Sequence, residues 1–167
     1  MVMNKVGTIT TKISSIGFSM KELIFDIECD GLLDTITKIH CLSYSEVGGK
    51  LSGTLYDQQE INEFFNEDYL YIGHHIVGYD FRALNKIYSI KRPKHIFDTL
   101  PWSWYLFPDR AEHGLESWGE DFGVPKPKID NWQDLTIEEY THRCEEDVKI
   151  NTKLYQLVKT KMKEIYS

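Results

Sequence analysis

The sequence predicts an α/β fold in which α-helices flank a mixed central β-sheet. Three strand-like segments come first, and Val47-Gly48-Gly49 between the second and third indicates a hairpin. Helical and strand-like segments then alternate, which is typical of a sheet covered by helices. With 167 residues, of which 41% are hydrophobic, the chain is long enough to form one domain with a hydrophobic core.

Five segments are rich in the β-branched, aromatic and aliphatic residues that favour strands. They are bounded by turn-forming or strongly polar residues, as strands usually are. The predicted strands are ELIFDIE (22–28), KIHCLSYS (38–45), KLSGTLYD (50–57), YLYIGHH (69–75) and HIFDTL (95–100).

The segments between the later strands have apolar residues at helical spacing. Leu115, Trp118 and Phe122 share one helical face, and Gly123 is a typical residue at a helix end. The Thr-x-x-Glu pattern at 136–139 has the form of a capping box and predicts the start of a long helix. The predicted helices cover 58–67, 80–89, 114–123 and 136 to about 164, with a helix or turn at 101–108. This order occurs in the ribonuclease H-like architecture and in other mixed α/β folds.

Residues 1–19 are predicted to be an N-terminal appendage, and residues 20–167 a single domain. The appendage is rich in Thr, Ser and Gly, and the sequence from Met20 could begin a protein by itself. No apolar segment is long enough to indicate a signal peptide or a membrane span. The three cysteines are scattered and lack metal-ligand spacing, which is typical of free thiols in a reducing cytoplasm.

The net charge of −7 argues against a protein that coats nucleic acid with a basic face. Two small basic groups, at 91–95 and 125–128, are predicted to be solvated loops. Divalent cations held by carboxylates would still let an acidic protein bind nucleic acid, because they reverse the local charge.

Four carboxylates occupy positions from which they could meet. Asp26 and Glu28 are two residues apart on the first strand, so both point to one face of the sheet. Asp80 opens a predicted helix, where an aspartate could also simply complement the helix dipole. Asp147 lies on the inward stripe of the last helix, where a charged side chain needs a partner. Together the four could hold two hard cations about 4 Å apart, the arrangement of phosphodiester-cleaving enzymes.

Five motifs resemble, in order, those of the DEDD superfamily of 3′–5′ exonucleases. They are FDIECDGL (25–32), GHHIVGYDFRAL (73–84), FDTL (97–100), HGLESWGEDFG (113–123) and HRCEEDVKIN (142–151). The resemblance is closest to the proofreading exonuclease domain of phage family A DNA polymerases and covers about residues 22–158. It implies a ribonuclease H-like fold and a cytoplasmic location, in a bacterium or a phage-infected host cell.

The resemblance implies a role for each acid. Asp26, Glu28 and Asp147 would be catalytic residues that bind the metal ions. Asp80 would complete this catalytic and metal-binding set, often through water in the superfamily. The expected cofactors are two divalent cations, Mg²⁺ or Mn²⁺.

The same resemblance implies substrate-binding residues. Tyr79 and Phe81 would lie near the substrate or beneath the site. His75 stands where relatives often carry asparagine, so it could contact sugar or phosphate, or it could be an ordinary packed residue.

The last motif leaves an alternative open at His142 and Arg143. One branch of the superfamily has a tyrosine four residues before the final aspartate, a position that Arg143 occupies here. The other branch has a histidine five residues before it, which matches His142. On an unbroken helix, five residues turn about 500°, so His142 and Asp147 would point about 140° apart. A helix that restarts near Thr141 would instead bring His142 to the site.

In the restarted arrangement His142 would be a catalytic base that takes a proton from the attacking water. In the continuous arrangement it would be a surface residue, and Arg143 would face the phosphate. Both arrangements give Arg143 a substrate-binding role.

The leading interpretation is a metal-dependent 3′–5′ exonuclease that releases nucleoside 5′-monophosphates from single-stranded DNA ends. A DNA polymerase could be a partner, and no membrane partner is expected. The alternatives are an exoribonuclease on the same scaffold and a non-catalytic module associated with a polymerase. The presence of all four acids argues against the module.

Overall fold

The computed structural model describes residues 20–124, 126, 129 and 134–167. Its elements are β1 Glu22–Cys29, β2 Ile39–Glu46, β3 Ser52–Leu55, α1 Gln58–Phe64, β4 Leu70–Gly73, α2 Asp80–Tyr88, β5 Ile96–Asp98, α3 Thr99–Leu106, α4 Leu115–Phe122 and α5 Ile137–Tyr166. The predicted appendage at 1–19 lies outside the described residues, as do Pro125, Pro127 and Lys128 of the predicted basic loop. Within the described ranges, no helix is both long and apolar enough to cross a bilayer.

The five strands form one mixed sheet in the order β3-β2-β1-β4-β5. β2 is antiparallel to both β1 and β3, whereas β4 runs parallel to β1 and β5. The predicted hairpin is present, and Gly48 in its turn has a φ of +68°, a left-handed conformation that glycine adopts without strain. The predicted mixed α/β sheet is therefore confirmed.

β1 lies at the centre of the sheet and separates its two faces. Phe25 and Ile27 point into the larger core, under α1 and α2. Ile24 points to the other face, where it packs against Val148 and Tyr155 of α5. Because side chains alternate along a strand, Asp26 and Glu28 share the face that α5 covers.

α5 begins with the predicted capping box, in which Thr136 and Glu139 exchange hydrogen bonds between side chain and backbone. It then continues without interruption to Tyr166. Of the two arrangements left open at His142, the structure therefore has the continuous helix and not the restart near Thr141. The Thr141 hydroxyl donates to the carbonyl of Ile137 at 2.8 Å, a bond within the helix, and so does not cap a new one.

The inward stripe of α5 holds the helix against the sheet over most of its length. It contains mainly apolar residues and one carboxylate, and its buried members are Tyr140, Cys144, Asp147, Val148, Ile150, Asn151, Leu154, Tyr155 and Val158. Asp147 is thereby fixed above β1, since the apolar residues on both sides of it anchor the helix.

Candidate active site

Carboxylates from β1 and α5 converge at one cavity. Asp26, Glu28 and Asp147 each offer an oxygen, and these oxygens lie within 4.8 Å of one another. The cavity has a volume of about 470 Å³, within the range of small-ligand sites. Besides the three acids, its lining includes Ile27, Cys29, Asp30, Gly31, Leu32, Tyr79, Tyr140 and Arg143.

Asp147 is the most buried of these three acids, with 5% of its surface exposed. Its Oδ2 accepts from the Lys126 ammonium at 2.8 Å. Its Oδ1 is buried and has no hydrogen-bond partner among the described residues. A buried carboxylate oxygen without a partner is costly, so the site suits a ligand that supplies positive charge. Carboxylate oxygens are the ligands that Mg²⁺ and Mn²⁺ prefer, and the donor set therefore fits a divalent cation.

Burial makes ionisation of these acids unfavourable. The pKa of Asp26 is raised well above its ordinary value by burial, then by the negative charges of Asp147, Asp80 and Glu28. Burial also raises the pKa of Asp147, an effect that Lys126 opposes. Such mutual repulsion is relieved when a cation binds between the groups.

Glu28 has a cation of its own. The Arg143 Nε lies 3.3 Å from the Glu28 Oε1, and both side chains are nearly buried. Burial raises the pKa of Glu28, and the positive charge of Arg143 acts in the opposite direction. Two of the three acids thus have a cation beside them, Arg143 at Glu28 and Lys126 at Asp147.

Asp80 lies next to this group and outside it. It is the first residue of α2, is 4% exposed, and is absent from both the cavity lining and the close set of three acids. Burial raises its pKa to about 8, and Asp98 and Glu28 add to the effect. The structure therefore brings three of the four predicted acids together and places Asp80 within electrostatic reach of Asp26.

The loop that leads to Asp80 is fixed by Asp98, from the FDTL motif. The Asp98 carboxylate accepts from the backbone N–H groups of His75 at 2.8 Å and Val77 at 3.0 Å. It also caps α3 by accepting from Leu100 N–H. His75 itself is exposed, with a φ of +66°, and does not line the cavity. Its predicted contact with sugar or phosphate stays a prediction.

The two predicted aromatic contacts differ. Tyr79 lines the cavity and donates from its hydroxyl to the Gly31 carbonyl at 2.6 Å, so it braces the loop after β1. Phe81 is 4% exposed and packs between Phe25 and Phe65 in the core. Of its two predicted placements, near the substrate or beneath the site, the structure therefore has the second, and its substrate-binding role stays a prediction.

His142 does not reach the acids. Its side chain is exposed and lines a separate cavity of about 440 Å³. That cavity is lined by Tyr56, Ile137, Glu138, Thr141, His142 and Glu145. The prediction that its imidazole faces the acid cluster is corrected, since α5 is continuous and turns His142 away from the side of Asp147.

Sequence reasoning missed three contributors to the site. Lys126 belongs to a basic group that was predicted to be a solvated loop, and no local pattern indicated that it pairs with Asp147. Leu32 is 77% exposed at the cavity, where an apolar side chain faces water. Asp98 was visible in the sequence as part of the FDTL motif, but its contacts with the loop before Asp80 depend on the parallel pairing of β4 and β5.

Comparison with known proteins supports the fold. NrnC from Brucella melitensis has a TM-score of 0.67 at 14% identity, over 88% of this chain and 76% of that chain. The catalytic core of RRP6 from Trypanosoma brucei has a TM-score of 0.60 at 16% identity, over 84% and 41%. E. coli exonuclease I has a TM-score of 0.56 at 14% identity, over 88% and 42%. The sequence itself matches none of the protein families and none of the curated proteins with which it was compared.

The chain has an α/β ribonuclease H-like fold, which it shares with these solved structures. The predicted fold is thereby confirmed. The closer resemblance to phage family A polymerases and to the histidine branch stays a prediction.

Proposed function

We propose that this protein is a metal-dependent 3′–5′ exonuclease that releases nucleoside 5′-monophosphates from DNA 3′ ends, with a preference for single strands. The observation that carries the proposal is the group of three carboxylates at one cavity, one of them with an unpartnered buried oxygen. An exposed acidic surface has no comparable need for a cation. The fold adds support, since two of its neighbours are an exonuclease bound to dT13 and NrnC with bound Mg²⁺.

Asp26, Glu28 and Asp147 would hold two divalent cations, Mg²⁺ or Mn²⁺, with Asp80 completing the set from beside Asp26. When bound, such cations polarise water and neutralise the charge that develops on a phosphodiester during cleavage. The carboxylates orient the cations, and their burial excludes the bulk water that would screen them.

Side chains at the rim would position the substrate. Arg143 can donate to a phosphate oxygen in the planar geometry that a guanidinium offers. Leu32 presents an apolar surface to a terminal base, and Tyr79 holds the loop that carries Leu32 through its bond to Gly31. The cavity volume of about 470 Å³ suits one nucleotide at a time.

The proton of the attacking water would leave to solvent or to one of the carboxylates. His142 was expected to accept it, but an exposed side chain in another cavity does not support that role. The proposal therefore assigns the chemistry to the four acids.

The test is digestion of 5′-labelled and 3′-labelled oligonucleotides with Mg²⁺ or Mn²⁺. We expect a ladder of shortened 5′-labelled products from single-stranded DNA, and no cleavage in the presence of EDTA. Asp26→Asn should lower turnover by on the order of 10³-fold, because it removes charge that holds the cations. The exposed Asp109, which lies outside the cavity lining, provides the matched control Asp109→Asn.

RNA and duplex DNA serve as parallel substrates. Faster degradation of RNA would replace the proposed substrate with the alternative of an exoribonuclease. Binding of labelled DNA without any metal-dependent cleavage would contradict the enzyme and favour a non-catalytic module.

A further inference from the structure

Lys126 brings a primary ammonium into the acid site from the segment between α4 and α5. Its Nζ lies 2.8 Å from the Asp147 Oδ2, and only 19% of its side chain is exposed. Its charge also opposes the rise that burial causes in the pKa of Asp26 and of Glu28, so it acts on all three acids of the close set. The ammonium thus stands where the site otherwise has an excess of negative charge.

A lysine in this position competes with a divalent cation. An ammonium on one oxygen of Asp147 repels a second positive charge that binds the other oxygen a few ångströms away. Arg143 differs in this respect, because it pairs with Glu28 at 3.3 Å and its planar fork can bind a phosphate without leaving that carboxylate. A flexible lysine has three rotatable donors on a long aliphatic stem and can change partner by rotation alone.

We propose that Lys126 exchanges partners during binding: it pairs with Asp147 in the metal-free protein and moves to the substrate phosphate when a divalent cation takes Asp147. The proposal rests on the proposed function, since it assumes that the cation and a nucleotide phosphate share this cavity. The exchange couples the binding of the two ligands. A cation on Asp147 frees the ammonium to bind the phosphate, and a phosphate that holds the ammonium leaves Asp147 open to the cation.

The charges of the site support this exchange. With every group ionised, Asp26, Glu28, Asp80 and Asp147 carry four negative charges, and Lys126 and Arg143 carry two positive ones. One divalent cation would neutralise the remainder, so a second cation becomes favourable only when an anion arrives with it. The phosphate is that anion, and the ammonium of Lys126 can donate to it once the cation has displaced it from Asp147.

The variant Lys126→Met tests the release of Asp147 to the cation and the binding of the phosphate separately. Mg²⁺ affinity without nucleotide should rise on the order of tenfold, since a neighbouring positive charge has been removed. Affinity for thymidine 5′-monophosphate in saturating Mg²⁺ should fall by a similar factor. Both affinities are measured by isothermal titration calorimetry and by the shift in Tm, so neither readout requires turnover.

The opposite signs distinguish this role from a structural one. If Lys126 only stabilised the fold, its removal would lower the affinity for both Mg²⁺ and the nucleotide. Lys126→Gln, which keeps a polar side chain, should change both affinities in the same directions.

Lys149→Met provides the matched control. Lys149 lies on α5, two residues after Asp147, but its side chain is 61% exposed and pairs with Glu146. Lys149→Met removes the same charge as Lys126→Met and should leave the affinities for Mg²⁺ and for the nucleotide unchanged. Unchanged or weaker Mg²⁺ binding in Lys126→Met would overturn the exchange, as would unchanged nucleotide binding. If wild-type protein cleaves no oligonucleotide while the two affinities shift as expected, the proposed function fails and the exchange stands.

Discussion

The inward and outward faces of α5 carry similar residue types in different environments. Inward, Asp147 and Arg143 are nearly buried and bind Lys126 and Glu28. Outward, His142 and Glu145 are exposed and line a cavity that contains none of the four acids. Neighbours in the sequence thus separate into a candidate active site and a solvated surface.

Helical rotation explains this difference. Arg143 precedes Asp147 by four residues, so the two side chains point about 40° apart, whereas His142 points about 140° away. A histidine five residues before the aspartate can join the site only if the helix breaks, and the capping box at Thr136 starts α5 too early for that. Because α5 is continuous, Arg143 faces the acids and the adjacent His142 does not.

Among substitutions on the two faces of α5, the largest effect on activity is expected from the inward Arg143. Arg143→Ala should raise the KM for single-stranded DNA roughly tenfold to a hundredfold, the worth of a charge-assisted hydrogen bond, with a smaller change in kcat. Arg143→Lys should fall between wild type and Arg143→Ala, because lysine keeps the charge without the planar fork. Steady-state kinetics on a 5′-labelled oligonucleotide measure both parameters, and an unchanged KM would remove Arg143 from the site.

A change of pH is expected to have an intermediate effect on the stability of the protein, and this effect should come from the inward acids alone. The pKa of Asp80 is raised by burial to about 8, so the metal-free folded protein binds more protons than the unfolded chain between about pH 4 and 8. Its free energy of unfolding should therefore fall as pH rises through this window. Saturating Mg²⁺ should reverse the slope, because the cation favours the ionised acids.

Urea denaturation at pH 5.5, 7 and 8.5 measures this slope. Asp80→Asn should flatten it, whereas the outward Glu145→Gln should leave it unchanged. An equally steep slope in Asp80→Asn would mean that Asp80 does not control the pH dependence.

The smallest effect is expected from the outward histidine. His142→Ala should change kcat by less than about twofold, as is usual for a surface substitution away from a site. The pH–rate profile should also be the same in this variant and in wild type. A drop of 10² or more, the usual worth of a general base, would restore His142 as the catalytic base and would require a different start of α5.

Local sequence patterns predicted most of the fold because they depend on nearby residues. Alternation along β1 placed Asp26 and Glu28 on one face, and the Thr136 capping box predicted the start of the last helix. The hairpin at Gly48 and the helix end at Gly123 follow from backbone conformations that glycine favours. In each case the evidence lies within a few residues of the feature.

Long-range contacts decided the rest. Lys126 and Asp147 are distant in the sequence, as are Asp98 and the backbone groups of His75 and Val77 that it fixes. No local pattern encodes such a meeting, because it depends on how α5 crosses the sheet and on which strands are neighbours. The sequence by itself therefore determined the order of elements and the acids of β1. Only the tertiary structure decided that α5 turns Asp147 toward them and His142 to solvent, since the packing of the inward stripe against β1 sets the rotation of the helix.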